Sequence, residues 1–254
     1  MVRLIMHGCN GYMGQVISSL VAEDPEAEIV AGIDVVDNRD NGYPVFTAIQ
    51  DCDVEADALL DFSTAGALKG ILDYCVGKGL PAVLCSTGYS KEQLEMIQEA
   101  SGKVAVLKSA NMSLGVNTLL KLLQDAARVL APAGFDLEVV EKHHRRKVDA
   151  PSGTALALAD SLNEALGNEY HYVYDRSQVR QKREDREIGI SALRGGTIVG
   201  EHEVVFAGTD EVITLKHTAY SRAIFGKGAI QAGKFLAGKA PGFYAMSDVI
   251  NAEN

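Results

Sequence analysis

The opening residues MVRLIMHGCNGYMG constrain this chain more than any others: an apolar run ends in spaced glycines where a helical pattern begins. Val2–His7 is apolar enough for a buried central strand, and Gly11–Ala22 carries helical periodicity. Gly8, Gly11 and Gly14 permit a tight turn and let backbone N–H groups approach a pyrophosphate at the helix N-terminus. The spacing is GxxGxxG, because Asn10 stands where the commoner GxGxxG has its second glycine. Glycines also make ordinary strand-to-helix turns, so the context decides. Glu28–Ile33 reads as the next strand, and Asp34 closes it, 20 residues beyond Gly14, where an acid can bind ribose hydroxyls. Strand, turn, helix, strand and acid in that order predict a dinucleotide site, with Cys9, Asn10, Tyr12 and Met13 inside its loop.

The alternation continues to about residue 110. Asp57–Phe62, Ala82–Cys85 and Lys103–Leu107 read as strands, Ala65–Val76 as a helix, and Ser90 as the N-cap of another that runs to Ala100. Asp37–Gly42 is a turn-rich loop. This is the pattern of a parallel α/β sheet. After Asn111 it changes. Leu114–Leu130 is one long amphipathic helix stopped by Pro132 and Gly134; Phe135–Glu141 is a strand, Ser152–Leu166 a helix and residues 168–185 a polar loop. Glu187–Leu193, Ile198–Phe206 and Glu211–His217 read as consecutive antiparallel strands, the first two joined in a hairpin at Gly195–Gly196. A last helix, Ala223–Ala237, precedes a short tail.

With 254 residues, 47% of them hydrophobic, the chain can bury one large core or two modest ones. No apolar run approaches the ~20 residues that span a bilayer, and the N-terminus lacks signal-peptide features. The four cysteines, Cys9, Cys52, Cys75 and Cys85, show neither CxxC pairing nor histidines at metal-ligand spacing, so no metal is expected and a reducing cytoplasm fits. A net charge of −10 argues against nucleic acid as a partner. Against that background residues 142–147, KHHRRK, concentrate base in one segment, as an anion site does and as a solvated basic loop also does.

Pro151 keeps Ala150 out of helical geometry, so the basic run reads as loop, and Ser152 is a natural N-cap. N–H groups of Ser152, Gly153 and Thr154 would then be available to a carboxylate, beside two imidazoles and a lysine able to move protons near neutral pH. Two further strand ends, Cys85-Ser86-Thr87 and Ser109-Ala110-Asn111-Met112, fall where ligands bind in doubly wound sheets and should face a nicotinamide ring; plain turn chemistry explains them as well. Cys85 reads either as a nucleophile or as a small buried residue, and the absence of a flanking base favours the second. Arg194 reads as a substrate-steering group, a hinge or a surface arginine.

The string Glu141–Ala155, EKHHRRKVDAPSGTA, resembles the signature of the dihydrodipicolinate reductase family of bacterial lysine and diaminopimelate synthesis. GCNGYMG, DFSTAGA, SANMSLGVN, LRGGTIVGEH and GFYAMSDVI extend the likeness over nearly the whole chain. The resemblance implies an NADH- or NADPH-dependent reductase acting on a small dicarboxylate, 4-hydroxy-tetrahydrodipicolinate, to give tetrahydrodipicolinate. It implies His143 as proton donor and acceptor, Lys147 as its partner, and His144, Gly153 and Thr154 as carboxylate binders. Gly8–Met13, Asp34, Cys85–Thr87 and Ser109–Met112 would contact the dinucleotide. Members of the family often carry a basic residue in the glycine loop, where this chain has Asn10 and Tyr12, and some have arginine where it has Val35. Both departures remove positive charge from the place of a 2′-phosphate, so NADH is expected to serve at least as well as NADPH; Arg39 is the one counterweight.

The expected architecture is α/β: a Rossmann-type parallel-sheet domain of residues 1–113 and 222–254, and an α+β substrate-binding and oligomerisation domain of residues 114–221. Ile188, Ile190, Ala192, Ile198, Val204 and Phe206 look too apolar for an open sheet face, which with the family resemblance predicts a homotetramer. A dehydrogenase acting on aspartate or an aldehyde is the nearest other enzyme, though an aldehyde enzyme needs an activated cysteine. A redox-sensing binding protein would keep Gly8, Gly11 and Asp34 with no use for His143 and Lys147.

Overall fold

The computed structural model describes residues 1–177 and 180–252. Positions 178–179, within the segment read as a polar loop, and 253–254 lie outside the described residues. The chain divides into two units, Met1–Leu114 with the stretch from Ala223 onward, and Gly115–Arg222.

The first unit runs β1 (Val2–His7), α1 (Tyr12–Ala22), β2 (Ala27–Ile33), β3 (Val45–Phe46), β4 (Ala58–Asp61), α2 (Leu68–Lys78), β5 (Ala82–Leu84), α3 (Lys91–Ser101) and β6 (Ala105–Lys108). After the second unit, described next, it resumes with α6 (Ala223–Leu236), β12 (Gly242–Tyr244) and α7 (Met246–Ala252). Its seven strands are all parallel, in the order β12-β6-β5-β4-β1-β2-β3. Such a sheet is buried on both faces. Leu4, Met6 and Leu60 pack on α1, α6 and α7 from one side, while Ile5 and Leu59 meet α2 and α3 on the other. Ser90 caps α3 with a full capping box, its hydroxyl accepting from Gln93 N and its own N–H donating to the Gln93 side chain. The supposed tail is structured: β12 extends the sheet beside β6, and α7 puts Met246 and Val249 into the core. The helix expected at Ala65–Val76 begins as a single tight turn, Ala65–Ala67, and becomes α-helical at Leu68.

The second unit holds α4 (Leu114–Leu130), β7 (Asp136–His143), α5 (Gly153–Ala165), β8 (His171–Val173), β9 (Glu187–Arg194), β10 (Gly200–Ala207) and β11 (Val212–Ala219). Its sheet is mixed, in the order β11-β10-β7-β9-β8, with β7, β9 and β8 mutually parallel and β10 antiparallel to both neighbours. The expected Gly195–Gly196 hairpin is therefore corrected: β9 and β10 do not pair, because β7 lies between them. A glycine pair marks where a chain can reverse but says nothing about which strands it brings together. Here the turn crosses the end of β7, and Gly195 N donates to His143 O at 2.9 Å. β8 lies inside the segment read as a polar loop.

The apolar residues expected on an open face are mostly core. Ile188, Ile190, Val204 and Phe206 pack against Leu119 and Leu123 of α4 and Leu158 and Leu162 of α5, whereas Ala192 is exposed and Ile198 sits half-buried in the turn. No helix of this unit packs on the opposite face among the described residues. There Lys142 and Lys216 alternate with Glu201 and Glu203 in a lattice of ion pairs. No helix among the described residues is long and apolar enough to cross a membrane.

Candidate functional site

In the parallel sheet, chain order departs in opposite directions from β1, and the crevice at this switch lies at the carboxyl ends of β1 and β4, where such folds bind ligands. A cleft of about 520 Å³ opens there, lined by Gly8, Asn10, Gly11, Asp34, Arg39, Phe62 and Thr64 among others. Gly8 turns at φ +85°, and a Cβ there would lie 2.8 Å from Phe62 O; a Cβ on Gly14 would lie 2.2 Å from Gly8 O. Helix α1 starts with no side-chain cap and no acid in its first turn, which suits an incoming phosphate. Asp34 is held from both sides, Asn10 N donating to Oδ2 and Val35 N to Oδ1, each at 2.8 Å. A dinucleotide fits these residues: glycine backbone for a pyrophosphate, a carboxylate for ribose. Tyr12 is exposed and Met13 half-buried, while Cys9 is wholly in the core, where burial pushes its thiol to about 11, so only its backbone is available to a ligand.

Cys85–Thr87 and Ser109–Met112 do not line this cleft; they follow β5 and β6, the next strands along the sheet. A buried carboxylate missed in the sequence ties these ends to the others. Asp61, at the end of β4, takes Ser63 N at 3.0 Å, the Ser63 hydroxyl at 2.5 Å and the Ser86 hydroxyl at 2.7 Å, with His7 Nδ1 at 3.2 Å. Burial alone would raise this carboxyl, but the neighbouring His7 and the hydrogen bonds from Ser63 and Ser86 outweigh it and hold it below its ordinary value. An acid closing an otherwise apolar strand, DALLDF, was the available signal. Burial, then the Asp61 charge, pushes the Cys85 thiol well up, which fits a small packed residue better than a nucleophile. Ser109 accepts from Asn111 N and donates to Asn111 O, Ala110 is exposed, and Met112 is buried in the core.

In the second unit β7 runs two residues further than expected, so His143 ends a strand flanked on both sides and does not lie in a loop. Strand alternation then splits the basic run. Lys142 turns outward to Glu201 and Glu203, Arg145 and Arg146 are exposed, and His143 turns inward beside the buried Glu141. His143 Nδ1 lies 2.5 Å from Glu141 Oε2. Arg194 grips the same carboxylate with both terminal nitrogens, at 2.8 and 2.7 Å, and donates to Asp149 O. Arg194 is therefore no surface arginine. Lys147 Nζ stands 2.9 Å from Asp149, and His144 buries an Nδ1 that meets no partner among the described residues.

Ser152 caps α5, its hydroxyl accepting from Ala155 N at 3.2 Å and lying 3.1 Å from His202 Nε2. One sequence expectation fails here. Ser152 N is not available to a ligand, because it donates to Glu141 Oε1 at 3.0 Å. Gly153 is exposed and Thr154 half-buried at the helix start. Burial, the largest influence, lowers the pKa of His143, with Lys147 and Arg194 adding to the effect and Glu141 opposing it. Far from these residues, His171, Glu184 and Glu187 gather oxygen and nitrogen atoms within 4.8 Å, but Arg176 and Arg183 already neutralise Glu187.

A parallel sheet with helices on both faces, a glycine turn into the first helix and an acid after the second strand is the build of the Rossmann-type domains of oxidoreductases. Family models described as "Dihydrodipicolinate reductase, N-terminus" and "Dihydrodipicolinate reductase, C-terminus" match residues 2–112 and 115–250. The chain belongs to the dihydrodipicolinate reductase family and is an oxidoreductase. It is 48% identical over 250 residues to the 4-hydroxy-tetrahydrodipicolinate reductase of Caldanaerobacter subterraneus subsp. tengcongensis, covering 98% of each chain. It is 48% identical over 254 residues, all of both chains, to the enzyme of that name from Clostridium novyi. A dipicolinate-bound dihydrodipicolinate reductase from Paenisporosarcina sp. TG-14 shares the fold, with a TM-score of 0.82 at 23% identity over 96% of this chain and 97% of that one.

Proposed function

We propose that this protein reduces 4-hydroxy-tetrahydrodipicolinate to tetrahydrodipicolinate in lysine and diaminopimelate synthesis, using NADH or NADPH and releasing water. The curated relatives carry that activity in their name, and the solved relative is bound to dipicolinate, a small dicarboxylate. The observation that carries the reading is the arrangement in the second unit: a buried histidine, a lysine and a helix start gathered around residues 141–154.

A bound reduced nicotinamide would supply the hydride. His143 delivers a proton to the substrate as negative charge develops, an effect worth about 10²–10⁴-fold. Lys147 adds positive charge there, and His144, Gly153 and Thr154 receive the carboxylates. Gly8–Met13 and Asp34 would hold the dinucleotide, with Cys85–Thr87 and Ser109–Met112 as its further contacts. The outer face of the mixed sheet, with its ion-pair lattice, is our candidate for assembling a homotetramer. The free cysteines suit a cytoplasmic enzyme.

The test follows nicotinamide absorbance with enzymatically prepared substrate. His143→Ala should lower kcat by at least about a hundredfold with a smaller change in KM. Lys147→Ala should lower kcat and raise KM. NADH dissociation constants should stay within a few-fold of the parent. Retention of kcat within threefold in both folded variants would falsify the catalytic assignment.

A further inference from the structure

Glu141 has a place in the structure that no reading of the basic run anticipates. It is fully buried, yet its two oxygens gather four hydrogen bonds. Each donor belongs to a different part of the site: the His143 ring, the backbone N–H of the residue capping α5, and the guanidinium that ends β9. We propose that Glu141 is the positioning residue of the acid–base site, fixing His143 in its Nδ1–H tautomer and locking that imidazole to the helix start that receives the substrate carboxylate. This rests on the reading of His143 as proton donor given above.

The tautomer follows from donor and acceptor chemistry. Burial alone would raise the Glu141 carboxyl, but Arg194, His143 and Ser152 together hold it below its ordinary value, so it is ionised at neutral pH. An ionised carboxylate only accepts, so the proton between it and the ring sits on Nδ1. The neutral ring then leaves Nε2 as its basic atom, the one that gains a proton and passes it on. Gly200 keeps space beside that atom, since a Cβ there would come within 3.2 Å of Nε2. A buried carboxylate behind a catalytic imidazole also steadies the imidazolium once it forms.

The charges facing His143 set the direction of its pH response. Glu141 on its own strand favours the protonated ring, while Lys147 in the following loop and Arg194 from β9 oppose it. His202 from β10 stacks edge-on at 5.1 Å, and burial, its largest influence, pushes its pKa down to about 4, so it stays neutral beside a charged His143. Asp149 pairs with Lys147 at the rim. Removing the Glu141 charge takes away the carboxylate that favours the protonated ring and lowers the His143 pKa further.

Two measurements decide the matter. In the native protein, nitrogen NMR of labelled histidines, with His143 assigned by its loss in His143→Ala, should give the Nδ1–H tautomer; an Nε2–H ring overturns the proposal. In Glu141→Gln, kcat should fall about tenfold near neutral pH with substrate KM within threefold. The limb of kcat that falls with rising pH should move about one unit lower, since each unit is tenfold in protonated ring. Glu141→Asp, which keeps the charge, should hold the limb near its native position. An unmoved limb with kcat within threefold overturns the proposal, as does a loss of kcat with no shift, which marks a merely structural role. If Glu141→Gln does not fold, the native tautomer decides alone. If the native protein fails to reduce the substrate, the functional reading falls, whereas the tautomer still tests the role of Glu141.

Discussion

Asp34 shows how a single side chain can carry a preference between two cofactors. Its oxygens are pinned by Asn10 N and Val35 N, so the carboxylate cannot swing away from the cleft. Asn10 also donates to Val36 O and accepts from Asn41, which is bonded in turn to Gln15, so the loop after β2 is tied back to the glycine turn. Ribose hydroxyls can donate to such a fixed carboxylate; a 2′-phosphate has nothing to donate and is repelled. Among the described residues lining the same cleft Arg39 is the one Lys or Arg, and it can offset that repulsion. We expect kcat/KM with NADH to equal or exceed that with NADPH at fixed low salt. A tenfold preference for NADPH, about 1.4 kcal/mol, would show that Arg39 outweighs Asp34. Asp34 was legible in the sequence because it stands at a fixed offset from the glycine turn. The contact of Arg194 with Glu141 was not, because a contact between residues 53 apart leaves no local period to read.

Among the elements, legibility followed length together with apolar run, which is why the three-residue β5 is read from AVLC. The long helices and the buried strands of the parallel sheet announce themselves by period and apolar run, but β3, β8 and β12 span only two or three residues each, too few for any alternation. Pairing was hidden too. The ends of β9 and β10 meet in a glycine turn, and only the ladder on both edges of β7 reveals that they are not neighbours. The carboxyl ends of β1, β4 and β5 are joined through Asp61, which makes that residue a structural tie between three elements. Asp61→Asn should cost about 2 kcal/mol at neutral pH, as expected for buried hydrogen bonds to a charged group. Because the Asp61 pKa is lowered in the fold, its contribution is complete above the unfolded value of about 4 and is lost as pH falls through the folded value. Denaturant titrations should therefore find native and variant stabilities converging below about pH 4. A gap independent of pH would mean that shape, not charge, holds these strand ends.

At the scale of the whole molecule, the outer face of the mixed sheet is the surface that association would cover. Its lattice of Lys142, Lys216, Glu201 and Glu203 is flanked by Val140, Val205 and the exposed Leu193, a mixture suited to a self-complementary contact. Sedimentation should give about four times the chain mass of 27.1 kDa; a species of 27.1 kDa throughout the micromolar range would exclude the tetramer. The discontinuous first unit also sets a schedule for synthesis. Ala229, Ile230, Ala232 and Leu236 cover Leu4, Met6 and Leu60 beside α1, so that face of the parallel sheet keeps only the cover of α1 while the ribosome makes the whole intervening segment. The inserted unit is complete at Arg222, before α6 exists. A nascent chain halted at that point should therefore protect the later-made unit from protease while the earlier-made strands are still cut, reversing the usual N-terminal-first order of domain folding.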